Sequence, residues 1–331
     1  MNQVGKGDRD KVHVVFCANR QYFQHTAVAA ASMLESCRNN DIIIHIITSD
    51  YDSVAEGKLS ETVRKYPHAE LVIHRVNDSR TDAAFTDDYR TKEAYFRFLA
   101  PEVLPLSVNR VVYLDSDIVV LDDIAKLASI DLEGRAVGAV VDCDWGRGTP
   151  DVRLAELGVS EDHAYVASGV LVMDLDLWRS RGIAQRLFEC VERLGPRLLY
   201  LDQDALNVTL QNEIHPIETR WNMQALMFGR WFRAALPSEY RAMKDARRRP
   251  GIIHFTTRAK PWLHRTRVRK RALYFRYLDK TAWRNELPPL SGAALLEYRA
   301  ARMLLTFGID VYAVLPFVRR PTTRRVGDTA S

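Results

Sequence analysis

Short β-branched runs alternate with helix-forming segments over the first quarter of the chain, and this alternation restricts the possible folds more than any other feature. KVHVVFCAN (residues 11–19), DIIIHIITSD (41–50) and AELVIHRV (69–76) are brief and apolar, the pattern of strands buried on both faces. Between them, TAVAAASMLESC (26–37) has helical character and SVAEGKLSETVRKY (53–66) reads as an amphipathic helix. A strand that is apolar throughout needs cover on both sides, so the sequence predicts an α/β fold with a mostly parallel central sheet flanked by helices. TKEAYFRFLAPEVL (91–104) is expected as the next helix, stopped near Pro101 and Pro105, and it leads into RVVYLDSDIVVLDDI (110–124) as a fourth strand. RAVGAVVDCDW (135–145) and AYVASGVLVMDL (164–175) are expected as further strands, and LDLWRSRGIAQRLFECVERL (175–194) as one amphipathic helix. DQDALNVTLQ (202–211) opens a helix with acidic residues, and PGIIHFTTRAKPW (250–262) holds a last strand ending in His254.

The 331 residues suffice for one large α/β domain with a C-terminal addition, and no Pro/Gly/Ser linker separates a second one. The expected division is a domain over 1–262 and a basic, partly amphipathic helical extension over 263–331. Charge supports it: from Arg241 onward 21 Lys and Arg stand against 6 Asp and Glu, so that part carries +15 and the first 240 residues −10. A basic end beside an acidic body points to an anionic membrane surface or a phosphorylated substrate, and no nucleic-acid module accompanies it. Cys17, Cys37, Cys143 and Cys190 are far apart, without zinc-site spacing, and are expected as reduced, mostly buried thiols. The polar start MNQVGKGDRDK lacks a signal-peptide core, which predicts a cytoplasmic protein in which the sequons at Asn77 and Asn207 carry no weight. No run reaches the roughly 20 apolar residues of a membrane span. ARMLLTFGIDVYAVLPFVRR (301–320), split by Asp310 and closed by Pro316, is expected either on the inner face of a membrane or packed as a last helix.

Asp115 and Asp117 end the fourth strand, and a period of two puts both side chains on one side. Ligands of open α/β sheets gather at the carboxyl ends of strands. Two carboxylates held together repel unless a cation neutralises them, and an oxygen-rich pair suits Mn²⁺ or Mg²⁺. Two chemistries fit. In one, DSDIV resembles the D-x-D segment of haloacid-dehalogenase-like phosphatases, whose first Asp attacks a phosphoryl group; that segment lies on the first strand there, whereas three strand/helix units precede it here. In the other, the pair holds the metal on the diphosphate of a nucleotide sugar.

Six ordered blocks favour the second: VVFCANRQYFQHTAVAAASML (14–34), AYFRFL (94–99), VVYLDSDIVV (111–120), SGVLVMDLDLWR (168–179), YLDQDALN (200–207) and HFTTRAKPW (254–262). In order and spacing they resemble glycosyltransferase family 8, above all its bacterial lipopolysaccharide α-galactosyltransferases and glucosyltransferases. The resemblance implies a single nucleotide-sugar-binding, GT-A-like domain. By the same resemblance Asp115, Asp117 and His254 would hold Mn²⁺ or Mg²⁺, and Lys260 would contact the diphosphate. Arg97 would sit near the phosphates or brace the aspartates, and Tyr22 would stack on the base, with Ala18, Asn19, Ser116 and Thr257 also lining the donor pocket. Gln203 would lie under the reacting sugar carbon, Asp202 beside it, and Asp142 on sugar hydroxyls; Gln203, Asp202 and Asp117 are the expected catalytic residues.

Three positions depart from the family pattern: Asn19 stands where Asp reads the uracil ring N–H, Ala167 replaces an Asn before Ser-Gly, and Thr257 replaces a Gly in the phosphate-binding turn. The expected function is metal-dependent, retaining transfer of galactose or glucose from a UDP-sugar to a hydroxyl of a cell-surface or lipid-linked glycan such as lipopolysaccharide. The departures also admit a nucleotide-sugar-binding protein with impaired turnover, and the phosphatase is the third alternative.

Overall fold

The computed structural model describes residues 11–84, 86, 91–142, 155–229, 232, 237–286 and 288–311, with backbone alone at 237–240. Cys143, the expected strand residues 143–145, the first ten residues and the tail beyond 311 lie outside the described residues.

The three β-branched runs form β1 (Lys11–Cys17), β2 (Asp41–Thr48) and β3 (Ala69–Arg75), paired in parallel. With β4 (Arg110–Leu114), β6 (Val137–Val141), β7 (Val166–Asp174) and β8 (Ile214–Ile217) they make a seven-stranded sheet in the order β3-β2-β1-β4-β7-β6-β8. Only β7 runs against its neighbours, so the sheet is mixed but mostly parallel. The period of two is visible in the core. Val14, Phe16, Val112, Leu114, Val170 and Val172 enter one apolar cluster, while Val15, Cys17, Val111, Tyr113, Leu171 and Met173 enter another on the opposite face. The helix Phe23–Ser36, whose alanines allow close approach, covers the first face, and the helices Ile183–Leu194 and Leu201–Thr209 cover the second.

Three segments differ from the sequence expectation. The fourth strand is two strands: β4 stops at Leu114, and after Asp115–Asp117 the chain enters β5 (Ile118–Val120) in a separate sheet with β9 (Met223–Gln224) and β10 (Ile252–His254). Residues 92–104 start as a 3₁₀ helix, Lys92–Leu99, and finish as the α-turn Ala100–Val103; Pro101 falls in its first turn, where no backbone N–H is needed. Residues 175–194 form two helices, Leu175–Ser180 and Ile183–Leu194, because Gly182 turns the chain in the left-handed region at φ 58°.

Beyond Trp262, the helices Arg271–Leu278 and Gly292–Thr306 follow. Tyr274, Phe275, Tyr298 and Leu305 join the core cluster of the first face, while Leu296, Met303 and Phe307 remain exposed. Of the free cysteines, Cys17, Cys37 and Cys190 are all buried, as expected. Across the β3-β2-β1 end of the sheet, three imidazoles form a hydrogen-bonded row, His13 Nδ1 to His45 Nε2 at 3.0 Å and His45 Nδ1 to His74 Nε2 at 2.9 Å. Burial, reinforced by His74 and His13, pushes His45 down to about 3.

Candidate active site

The ends of β4 and β10 meet at the seam between the two sheets. β10 runs antiparallel to β5 with His254 opposite Ile118, which puts the imidazole beside both aspartates. His254 Nε2 lies 3.1 Å from Asp117 Oδ1 and 3.5 Å from Asp115 Oδ2, and one ligand-type atom from each of the three residues falls within 4.8 Å of the others. Gly169 on β7 faces this cluster. A Cβ there would stand 2.2 Å from His254 Cε1 and 2.6 Å from Asp115 Oδ2, so any side chain would occupy the cradle.

Each ligand-type group is held from behind. Tyr113 donates its hydroxyl to Asp115 Oδ1 at 2.7 Å, and Arg97 Nη2 donates to the same oxygen at 3.1 Å. Asp117 Oδ2 accepts from Lys260 Nζ, which also donates to the Phe255 carbonyl at 2.7 Å. Burial alone would raise the Asp117 carboxyl, yet Lys260 and His254 outweigh it and keep it well below the usual carboxylate range. Asn222 Oδ1 lies 2.9 Å from His254 Nδ1, and since a carbonyl oxygen only accepts, Nδ1 carries the hydrogen. Its Nε2 faces the two carboxylates from the other side of the ring. Three Lewis bases converging in this way fit a divalent cation with oxygen and nitrogen ligands.

Arg97, only 4% exposed, ties this cluster to the acidic helix start. Its Nη1 donates to the Ser168 carbonyl at 2.6 Å, its Nε lies 3.3 Å from Asp202 Oδ2, and its guanidinium stacks on Tyr113. Asp202 also accepts from the Ser168 hydroxyl at 2.8 Å, and burial, opposed by Arg97, raises its carboxyl. Leu201 precedes it at φ 44°, a strained conformation for a branched residue at the start of the helix. Gln203 Oε1 accepts from the Ser168 backbone N–H at 3.1 Å, while its Nε2 donates to Asp142 Oδ2 at 3.0 Å.

The donor-side expectations are placed as follows. Ala18 is buried at the end of β1, and Asn19 donates to Glu93 Oε2 at 3.5 Å, leaving its Oδ1 without a hydrogen-bond partner among the described residues. Tyr22 meets Trp262 edge-on, and Trp262 stacks flat on His25 at 3.5 Å between centroids. Ser116 is buried against the Thr26 hydroxyl at 2.8 Å. Thr257 is exposed in the turn before Lys260, its hydroxyl 3.3 Å from the Ala259 N–H. Ala167 is buried on β7. Gly169, Asn222, Tyr113, Tyr165 and Gln224 were not singled out by the sequence, although each touches one of the expected residues.

The sequence profile described as Glycosyl transferase family 8 matches residues 13–266. The chain belongs to that family. As a family 8 glycosyltransferase it is 28% identical over 279 residues to general stress protein A of Bacillus subtilis (strain 168), spanning 82% of this chain and 94% of that one. It is 24% identical to the lipopolysaccharide 1,3-galactosyltransferase of Salmonella typhimurium over 67% of this chain and 66% of that protein. Its fold matches the galactosyltransferase LgtC, solved in complex with donor and acceptor sugar analogues, with a TM-score of 0.74 at 21% identity, covering 87% of this chain and 99% of LgtC. Family membership removes the phosphatase alternative.

Proposed function

We propose that this glycosyltransferase moves galactose or glucose from a UDP-sugar to a hydroxyl of a cell-surface glycan such as lipopolysaccharide, with retention at the anomeric carbon. One observation carries the reading: Asp115, Asp117 and His254 converge within 4.8 Å beside Lys260 and across from Gln203, in a family 8 fold. The lipopolysaccharide galactosyltransferase among the relatives supports the substrate class.

Asp115, Asp117 and His254 would hold Mn²⁺ or Mg²⁺, which when bound neutralises charge on the donor diphosphate. Lys260, relieved of Asp117 in that state, supplies its ammonium to the same phosphates as negative charge grows on the leaving nucleotide. Tyr22, Ala18, Asn19 and Ser116 line the nucleoside end, Thr257 the phosphate turn. Gln203, Asp202 and Asp142 face the sugar. Gln203 is an amide and a poor nucleophile, so the acceptor hydroxyl attacks the anomeric carbon on the face the diphosphate leaves: the new C–O bond forms as the sugar–phosphate bond breaks, and a phosphate oxygen takes the hydroxyl proton. Positioning and charge stabilisation suffice for this step.

Purified protein with Mn²⁺ and a panel of nucleotide sugars tests the reading. UDP-galactose or UDP-glucose binding and turnover that stop with EDTA are expected, and no binding to any donor would count decisively against it. We further read residues 1–262 as the donor-binding domain and the basic residues 263–331 as the part that keeps the enzyme on the cytoplasmic face of an anionic membrane, where lipid-linked acceptors lie. Among the described residues no helix is long and apolar enough to cross a membrane.

A further inference from the structure

Asp142 directly follows β6, with both carboxylate oxygens engaged by neutral amides: Gln203 Nε2 donates to Oδ2 at 3.0 Å and Gln224 Nε2 donates to Oδ1 at 3.0 Å. Gln224 is 5% exposed and lies on β9, in register with His254 on the parallel strand β10. Its orientation is set by Thr256, whose hydroxyl donates to Gln224 Oε1 at 3.3 Å, so the amide nitrogen is the end that meets Asp142. The opposite amide is fixed in the same sense, because Gln203 Oε1 accepts from the Ser168 N–H.

The row Thr256, Gln224, Asp142, Gln203 therefore runs from the segment just after β10 to the helix that carries Asp202. A buried glutamine whose nitrogen faces a carboxylate fixes that carboxylate in one rotamer. We propose that Gln224 is a positioning residue for the sugar half of the donor, acting through Asp142 on Gln203. This rests on the UDP-sugar reading above and adds to it that sugar recognition is separable from nucleotide recognition. The nucleotide half depends on Asp115, Asp117, His254 and Lys260, none of which Gln224 touches by a hydrogen bond.

Gln224→Met keeps length and apolar bulk but removes both hydrogen bonds, and calorimetric titration with Mn²⁺ present separates the two halves. For the variant, UDP affinity is expected to stay within about twofold, while affinity for UDP-galactose or UDP-glucose falls about tenfold, the loss of one hydrogen bond to a charged group. Equal loss for UDP and UDP-sugar, or no loss for either, overturns the proposal. A crystal structure of ligand-free Gln224→Met gives a readout that needs no donor: the Asp142 carboxylate is expected to leave its 3.0 Å contact with Gln203. An Asp142 that stays in place overturns the proposal as well. Wild-type protein that binds no nucleotide would sink the UDP-sugar reading instead, and this crystallographic comparison would then decide the role of Gln224.

Discussion

Asp117 is the residue on which the site's charge balance turns. Its two oxygens are shared between a histidine and a buried lysine, so removing the carboxylate takes one partner from each. Asp117→Ala is expected to abolish the metal response and lower turnover by about a hundredfold or more, the scale of losing a central electrostatic group. Donor turnover with and without EDTA checks this. Gly169→Ala tests the cradle from the other side. Its Cβ would sit 2.2 Å from the imidazole, so Mn²⁺ affinity is expected to fall about 10- to 100-fold. Stability is expected to fall by about 1–3 kcal/mol. A spin-resonance titration and urea denaturation measure the two effects. Asp115, Asp117, His254, Lys260 and Gln203 were legible from sequence because each sits in a block of distinctive composition. Asn222 and Gln224 were not, since a buried amide in RWNMQ has neither apolar periodicity nor a charge to betray it; the register of β9 on β10 sets Gln224 beside His254, and Asn222 just before β9 meets the same imidazole.

At the scale of elements, β1 to β3 announce themselves through seven or eight residues each, whereas β8, β9 and β10 have four, two and three, too few for a period to emerge. The break at Gly182 was masked by the apolar spacing that continues through both flanking helices. The histidine row on β1, β2 and β3 yields a prediction about pH. His45 is held down to about 3 by burial, and His25, beneath Trp262, is likewise held down to about 3. Both therefore bind protons more readily in the unfolded chain, whose imidazoles titrate near 6.5. Stability is full above that pH and falls as pH drops from about 6.5 toward 3, by up to about 1.4 kcal/mol per pH unit for each histidine. Urea midpoints measured from pH 7 to pH 4.5 should show the decline, and His45→Gln should flatten it. An unchanged slope in that variant would place the titration elsewhere.

For the whole molecule, the contrast between an acidic body and a basic end is what the proposed seat on an anionic membrane rests on. Replacing Arg319, Arg320, Arg324 and Arg325 by Gln is expected to reduce partitioning onto vesicles containing anionic lipid, at about 1 kcal/mol per cation near the surface. Binding to neutral vesicles should be weak for both forms. Equal partitioning of wild type and variant in a sedimentation assay would refute it. The packing of Tyr274 and Phe275 into the main core means that cutting the chain near Trp262 would disturb the fold as well as the charge, so charge substitution is the cleaner test.

The seam between the two sheets has a kinetic consequence. Asp117 and His254 are 137 residues apart along the chain, and they meet only when β10 has found β5 in one particular register. A slip of one position would turn the imidazole to the opposite face. Closing so long a loop is entropically costly, so contacts of this range form late on the way to the native state. Followed in stopped flow from urea, the capacity to take up Mn²⁺ should therefore appear with the slowest phase, after secondary structure has already returned.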